Sequence, residues 1–132
     1  MENYFILEYV WLDGNKTASL RSKVKTLKHN SDTISLSDIP EWNFDGSSTR
    51  QAPGSDSECI LKPVRLYKEY PKQFYVLCEV LNNDGTPHET NTRHLANLVC
   101  EKTKKEAWWF GFEQEYFITK NGSPLGFPDI GY

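Results

Sequence analysis

Long apolar runs, a basic excess and paired cysteines are all missing from this 132-residue sequence. No stretch approaches the ~20 consecutive apolar residues that a membrane-spanning helix requires. The opening MENYFILEYVWLDG is apolar only briefly and carries Glu2 and Glu8. It has neither a basic start nor a small-residue cleavage site, so it does not read as a secretory leader. The formal net charge is −3, with no basic patch or tail, which argues against nucleic acid or a membrane as a partner. The three cysteines, Cys59, Cys78 and Cys100, form no CxxC pair. Scattered, odd in number and without a leader, they read as reduced thiols of a cytoplasmic protein. His29, His88 and His94 share no HxH or HExxH spacing, which argues against zinc. Neither a GxxxxGK(S/T) phosphate loop nor a GxGxxG fingerprint occurs, and no serine is marked as an activated nucleophile.

What is present is globular: 38% hydrophobic, 25% charged and 14% aromatic residues. The length suits one ordinary domain with a modest core, too small for a large enzyme's whole active site. Tyr4 to Asp13 has the Phe, Ile, Tyr, Val and Trp content of a buried strand. Asp13-Gly14 tolerates the positive φ of a tight hairpin turn. From Ser19 to Leu27 a second strand puts Arg21, Lys23 and Lys25 on one face, because all three share one parity. Lys28 to Pro40 is polar and irregular. Glu41 to Ser57, dense in Gly, Ser, Asp and Pro, reads as a long loop, and long loops in compact domains tend to carry function. Glu58 to Val64 and Gln73 to Leu81 are further strands, the second central because FYVLCEVL is almost wholly apolar. A turn at Asn82-Asn-Asp-Gly85 follows. A helix is predicted from about Thr90 to Lys105, with Thr90 or Asn91 as cap and Leu95, Leu98 and Val99 at helical spacing. The lysines near its end suit the negative pole of the dipole. A last strand is predicted over Trp108 to Thr119, ending at the Asn121-Gly122 turn. This order is α+β.

Two constellations carry candidate chemistry. In WFGFEQEYFI, Glu113 and Glu115 stand two apart, and a strand would point both to one face, roughly 6–7 Å from each other. A strand edge with both acids in water explains any ExE. The apolar flanks favour instead a site for divalent cations, which prefer carboxylate oxygens. The second constellation is Glu41-Trp-Asn-Phe-Asp45-Gly-Ser-Ser48, where an Asp, a Gly and hydroxyls can build a polar concavity. An Asx or Ser turn explains the same residues. Trp42 and Phe44 would anchor the loop or cover a ligand. Residue chemistry names no reaction.

Taken in order, however, YVWLDG, LRSKVKTL, IPEWNFDGSST, GSDSECILKP, VLCEV, the P-x-E-T-N-x-R-H run from Pro87 to His94, and WFGFEQEY resemble the amino-terminal part of eukaryotic-type glutamine synthetase. The likeness runs from about Tyr9 to Gly126. It implies a β-grasp (ubiquitin-like) sheet with one packed helix over residues 1–106, and the beginning of a catalytic domain over 107–132. The family condenses glutamate with ammonia at the expense of ATP, through γ-glutamyl phosphate. Its sites lie between neighbouring subunits of stacked homo-oligomeric rings. By resemblance, Asp45 attracts ammonium and takes its proton, with Ser48, Trp42 and Glu58 beside it. Glu113 and Glu115 match two ligands of Mg or Mn ions that balance the phosphates of the ATP substrate.

Two departures from the family pattern matter. Glu58 stands where the family commonly has aspartate, and the extra methylene could displace a carboxylate near the ammonium site. The family's remaining metal ligands, its arginines for phosphate and glutamate, and its nucleotide pocket find no counterpart in these 132 residues. The chain alone is therefore expected to be inactive. An alternative of another class is a standalone β-grasp module that docks onto full-length synthetase subunits.

Overall fold

The computed structural model describes residues 2–126. The chain falls into two compact units that divide between Lys102 and Thr103. In the first unit, alternation builds a sheet. Strand β1 (Asn3–Leu12) buries Phe5, Leu7, Tyr9 and Trp11 and leaves Tyr4, Ile6 and Leu12 exposed. That two-residue period is what a strand with one covered face requires. Strand β2 (Leu20–His29) pairs antiparallel with it, Lys23 against Tyr9 and Lys25 against Leu7. Strands β3 (Trp42–Asp45), β4 (Glu58–Tyr70) and β5 (Gln73–Asn82) complete a five-stranded sheet in the order β2-β1-β5-β4-β3. The central β1–β5 pair is parallel and the other pairs are antiparallel. With helix α1 (Thr92–Lys102) the class is α+β, as expected.

Helix α1 starts where Asn91 Oδ1 accepts from the His94 amide at 3.0 Å, so Asn91 rather than Thr90 is the cap. The same side chain donates to the Val80 carbonyl at 2.9 Å and ties the helix start to β5. Arg93 adds an ion pair to the buried Glu79, which Lys62 also meets. The helix is held to the sheet by this first turn and buries none of its own residues.

Phe5, Leu7, Tyr9, Cys59, Leu61 and Val76 are fully buried. Each side chain of that size removed from water stabilises by about 1.5–3 kcal/mol. The core is closed from above by the chain between β2 and β4, through Ile39, Trp42 and Phe44. Trp42 meets Tyr9 edge-on with ring centroids 5.3 Å apart, and Phe44 meets Trp11 at 4.8 Å. Although β2 and β3 are the outer strands, Lys23 Nζ donates to the Asn43 carbonyl at 2.8 Å. Lys23 and Lys25 also stand 3.6 and 4.7 Å from the centre of the Trp42 ring. The sheet is therefore rolled until its edges meet through side chains, and the shared parity of the two lysines is what allows it.

Three expectations need correction. Residues 13–19 do not form a two-residue turn. Buried Asp13 organises a longer loop, accepting from the amides of Asn15 and Ser19 and pairing with Arg21 at 3.0 Å. Gly14 is needed because a Cβ there would strike the Arg50 carbonyl, not for a positive φ. Within the expected loop from Glu41, residues Trp42–Asp45 are a strand, since β4 offers an edge to pair with. Last, the strand expected over Trp108 to Thr119 is absent, and residues 107–118 have no regular structure. A strand needs a neighbour for its amides and carbonyls. Among the described residues of the second unit, the strands are only β6 (Thr119–Lys120) and β7 (Ser123–Pro124). They flank the Asn121-Gly122 turn, whose φ values of 52° and 84° suit those residues.

Candidate functional site

Asp45 ends β3 and caps the short 3-10 turn Gly46–Thr49. Its Oδ1 accepts from the Ser47 amide at 2.9 Å and from the Ser47 hydroxyl at 2.6 Å, an Asx turn with a second, hydroxyl donor. These bonds hold the Asp45 carboxyl below the usual carboxylate range against the opposing effect of desolvation, with a lesser contribution from Ser57. Ser48 donates to the Asp45 carbonyl at 3.2 Å, so it shapes the turn without touching the carboxylate. Gly46 is compulsory here: a Cβ would come within 2.7 Å of Cys59 Sγ.

Glu58 is the register partner of Asp45 across β3 and β4. Two acids directly opposite repel each other and concentrate negative potential on that surface. Glu58 accepts from the Asn43 side-chain amide, which orients it and relieves none of its charge. A depression of about 320 Å³ lies between Asn43, Phe44, Asp45, Ser57 and Glu58, open to solvent. It is suited to a small cation. Trp42 points the other way, into the core under the two lysines, so the alternation of β3 separates it from Asp45.

The turn is anchored from below by Gly14, Gln51 and His88. The Gly14 amide donates to the Thr49 carbonyl at 2.8 Å. Gln51 is buried and donates to the Leu12 carbonyl and the Thr90 hydroxyl, both at 3.1 Å. His88 Nε2 bonds the Gln51 carbonyl while its Nδ1 accepts from the Thr90 amide. The local sequence around Gln51 gives no sign of these bonds, because their partners lie 37 to 39 residues away along the chain. Ser47 was legible, because an Asp followed two residues on by a hydroxyl is the pattern of an Asx turn.

Glu113 and Glu115 belong to the second unit, where both are exposed. Their oxygens have the hardness that Mg or Mn prefers. On a segment without strand structure their side chains share no enforced face, and no group of three or more His, Cys, Asp or Glu gathers among the described residues. The pair does not by itself make a metal site. Cys59 and Cys78 are buried free thiols and Cys100 is an exposed one. No helix of the described residues is long and apolar enough to cross a membrane.

Among curated proteins, the chain is similar to glutamine synthetases. The chain is 52% identical over 116 residues to glutamine synthetase of Candida glabrata, covering 86% of this chain and 30% of that protein. It is 46% identical over 130 residues to the Bradyrhizobium diazoefficiens glutamine synthetase, covering 96% and 36%. The Saccharomyces cerevisiae glutamine synthetase is 47% identical over 131 residues, covering 96% and 34%. The chain thus spans about a third of the length of the curated relatives it matches. Among solved structures, a cryo-EM structure of Plasmodium falciparum glutamine synthetase matches with a TM-score of 0.46 at 17% identity, over 77% of this chain and 20% of that one. No family model matches the chain.

Proposed function

On the premise that the chain is homologous to glutamine synthetases over nearly all of its length, we propose that it supplies the ammonium-binding part of such a site. In the complete reaction, ATP phosphorylates glutamate and ammonia displaces the phosphate to give glutamine. Asp45 holds ammonium by charge and takes its proton, leaving ammonia with the free electron pair that attacks the γ-glutamyl phosphate. The observation that carries this reading is the carboxylate of Asp45, kept ionised by Ser47 beside the like-charged Glu58. Those bonds favour holding the cation and make Asp45 a weak base, so proton acceptance depends on the forward step draining the ammonia. Glu58, longer than the family's usual aspartate, reaches outward to Asn43 and leaves Asp45 as the principal contact.

Glu113 and Glu115 are candidate ligands for Mg or Mn, which in the complete enzyme would neutralise the nucleotide phosphates. These 132 residues supply only those two of the ligands, so turnover needs residues outside them and a neighbouring subunit. The purified chain is expected to show neither synthesis nor γ-glutamyl transfer with Mg or Mn. Measurable turnover free of host enzyme would overturn that expectation. A chimaera in which this chain replaces the aligned segment of the Saccharomyces cerevisiae enzyme tests the role of Asp45. Asp45→Asn should raise the KM for ammonium far more than that for ATP; equal KM values for ammonium would sink the assignment.

A further inference from the structure

Strand β3 carries Asp45 but pairs on one side only, with β4. Trp42 and Phe44 fix this four-residue strand to the core, but its outer edge presents unpaired backbone groups that a tether can hold. The group that holds it comes from the opposite edge of the sheet. Lys23 Nζ donates to the carbonyl of Asn43 at 2.8 Å while lying 3.6 Å from the centre of the Trp42 ring. A hydrogen bond from a charged donor and a cation over an indole face are both stronger than their neutral counterparts. Together they fix two consecutive residues of β3, one by its backbone and one by its side chain. The Asn43 amide then orients Glu58, and two residues further on the chain delivers Asp45. Lys25, 4.7 Å from the same ring and without the carbonyl bond, adds charge rather than a tether.

We propose that Lys23 is a positioning residue. Its ammonium, seated between the Trp42 ring and the Asn43 carbonyl, sets the orientation in which β3 presents Asp45 opposite Glu58 of β4 at the ammonium site. The inference rests on the reading of Asp45 given above. It also makes sense of a local paradox, since Lys23 and Lys25 sit side by side on a face that otherwise turns to the core. They stand at the seam where the rolled sheet closes, not inside it.

The test uses the whole chain with Lys23→Met, which keeps the length and removes the charge, Lys23→Arg, which keeps the charge, and Lys25→Met as a control. Two quantities are read by NMR: the titration of the Asp45 carboxyl, and hydrogen exchange at the Gly46 and Ser47 amides. These amides bond the Ser57 carbonyl and Asp45 Oδ1 in the structure. Lys23→Met should move the Asp45 titration back toward the ordinary carboxylate range. It should also speed exchange at Ser47 by about tenfold, relative to amides of β5. Lys23→Arg should restore most of both effects, and Lys25→Met should change them little.

A uniform rise in exchange across the sheet, with the Asp45 titration unmoved, would mean a purely structural lysine and would overturn the proposal. Should Lys23→Met unfold the chain, the milder Trp42→Phe reads the same seam. It weakens the cation contact while keeping the ring, and Asp45 must still respond. The two readings fail separately. Asp45→Asn without effect on the KM for ammonium in the chimaera removes the ammonium assignment and leaves the NMR result standing. An unmoved Asp45 titration removes the positioning role alone.

Discussion

Strand β1 and the run from Trp108 to Ile118 are built from similar residues. The first contains Tyr4, Phe5, Tyr9 and Trp11, and the second Trp108, Trp109, Phe110, Phe112, Tyr116 and Phe117. In β1, Phe5 and Tyr9 are 1% and 0% exposed, because β2 and β5 complete its hydrogen bonds and the chain between β2 and β4 covers its inner face. In the second run, Trp109 and Phe112 are both 95% exposed. The difference teaches that β-propensity is a statement about neighbours. Aromatic residues make a strand when a second strand accepts the backbone, and in the second unit no such strand is described.

Several substitutions would break or sharpen this contrast. The largest effect belongs to the covered region: Leu61→Ala, at a position 0% exposed, should cost about 2–5 kcal/mol in urea unfolding. Phe112→Ala should stay within about 0.5 kcal/mol of the parent. A comparable loss at Phe112 would mean that something covers the run in solution. Gly46→Ala, where a Cβ would lie 2.7 Å from Cys59 Sγ, should cost about 1–3 kcal/mol by overpacking. Gly111→Ala, with open space around it, should cost far less.

Acid should also act on the first unit through Asp13. Hydrogen bonds from Ser19, Asn15 and Arg21 lower its carboxyl from 3.8 to about 2 in the fold. Its contribution is therefore complete above pH 3.8 and is lost as the pH falls through about 2. Asp13→Asn should flatten that part of the stability profile, measured by thermal melts from pH 5 downward, roughly the window where such a carboxylate titrates. The smallest change in stability is expected for the double replacement of Trp109 and Phe112 by Ser. Its consequence should be reduced self-association by sedimentation, because exposed apolar clusters favour contact between copies.

How much of this could be read from the sequence depended on whether the deciding contact was local. The alternation of β1, the apolar run of β5 and the shared parity of Lys23 and Lys25 are local, and the structure contains all of them. The Asx turn at Asp45 is local too. The β3 strand was hidden because four residues are too few to establish a period, and its pairing depends on β4. The Asp13 loop was misread because Asp-Gly admits both a tight turn and a side-chain-organised loop. Its choice is made by Ser19, Arg21 and the distant Arg50. The expectation of a strand at WFGFEQEY came from its composition and its likeness to a family segment, whereas strand formation depends on pairing partners that composition does not specify.

The central pairing of the sheet also sets an order of events during synthesis. Tyr9 in β1 lies beside Val76 in β5, in parallel register. A ribosome delivers the two strands at opposite ends of the first unit, so β1 and β2 can meet as a hairpin long before β5 has emerged. Until then the inner row of Phe5, Leu7, Tyr9 and Trp11 has no parallel partner, and closing so distant a contact is slow compared with local ones. A nascent chain stalled before Gln73 should accordingly be the species most in need of a chaperone, and release of the segment through Asn82 should end that need.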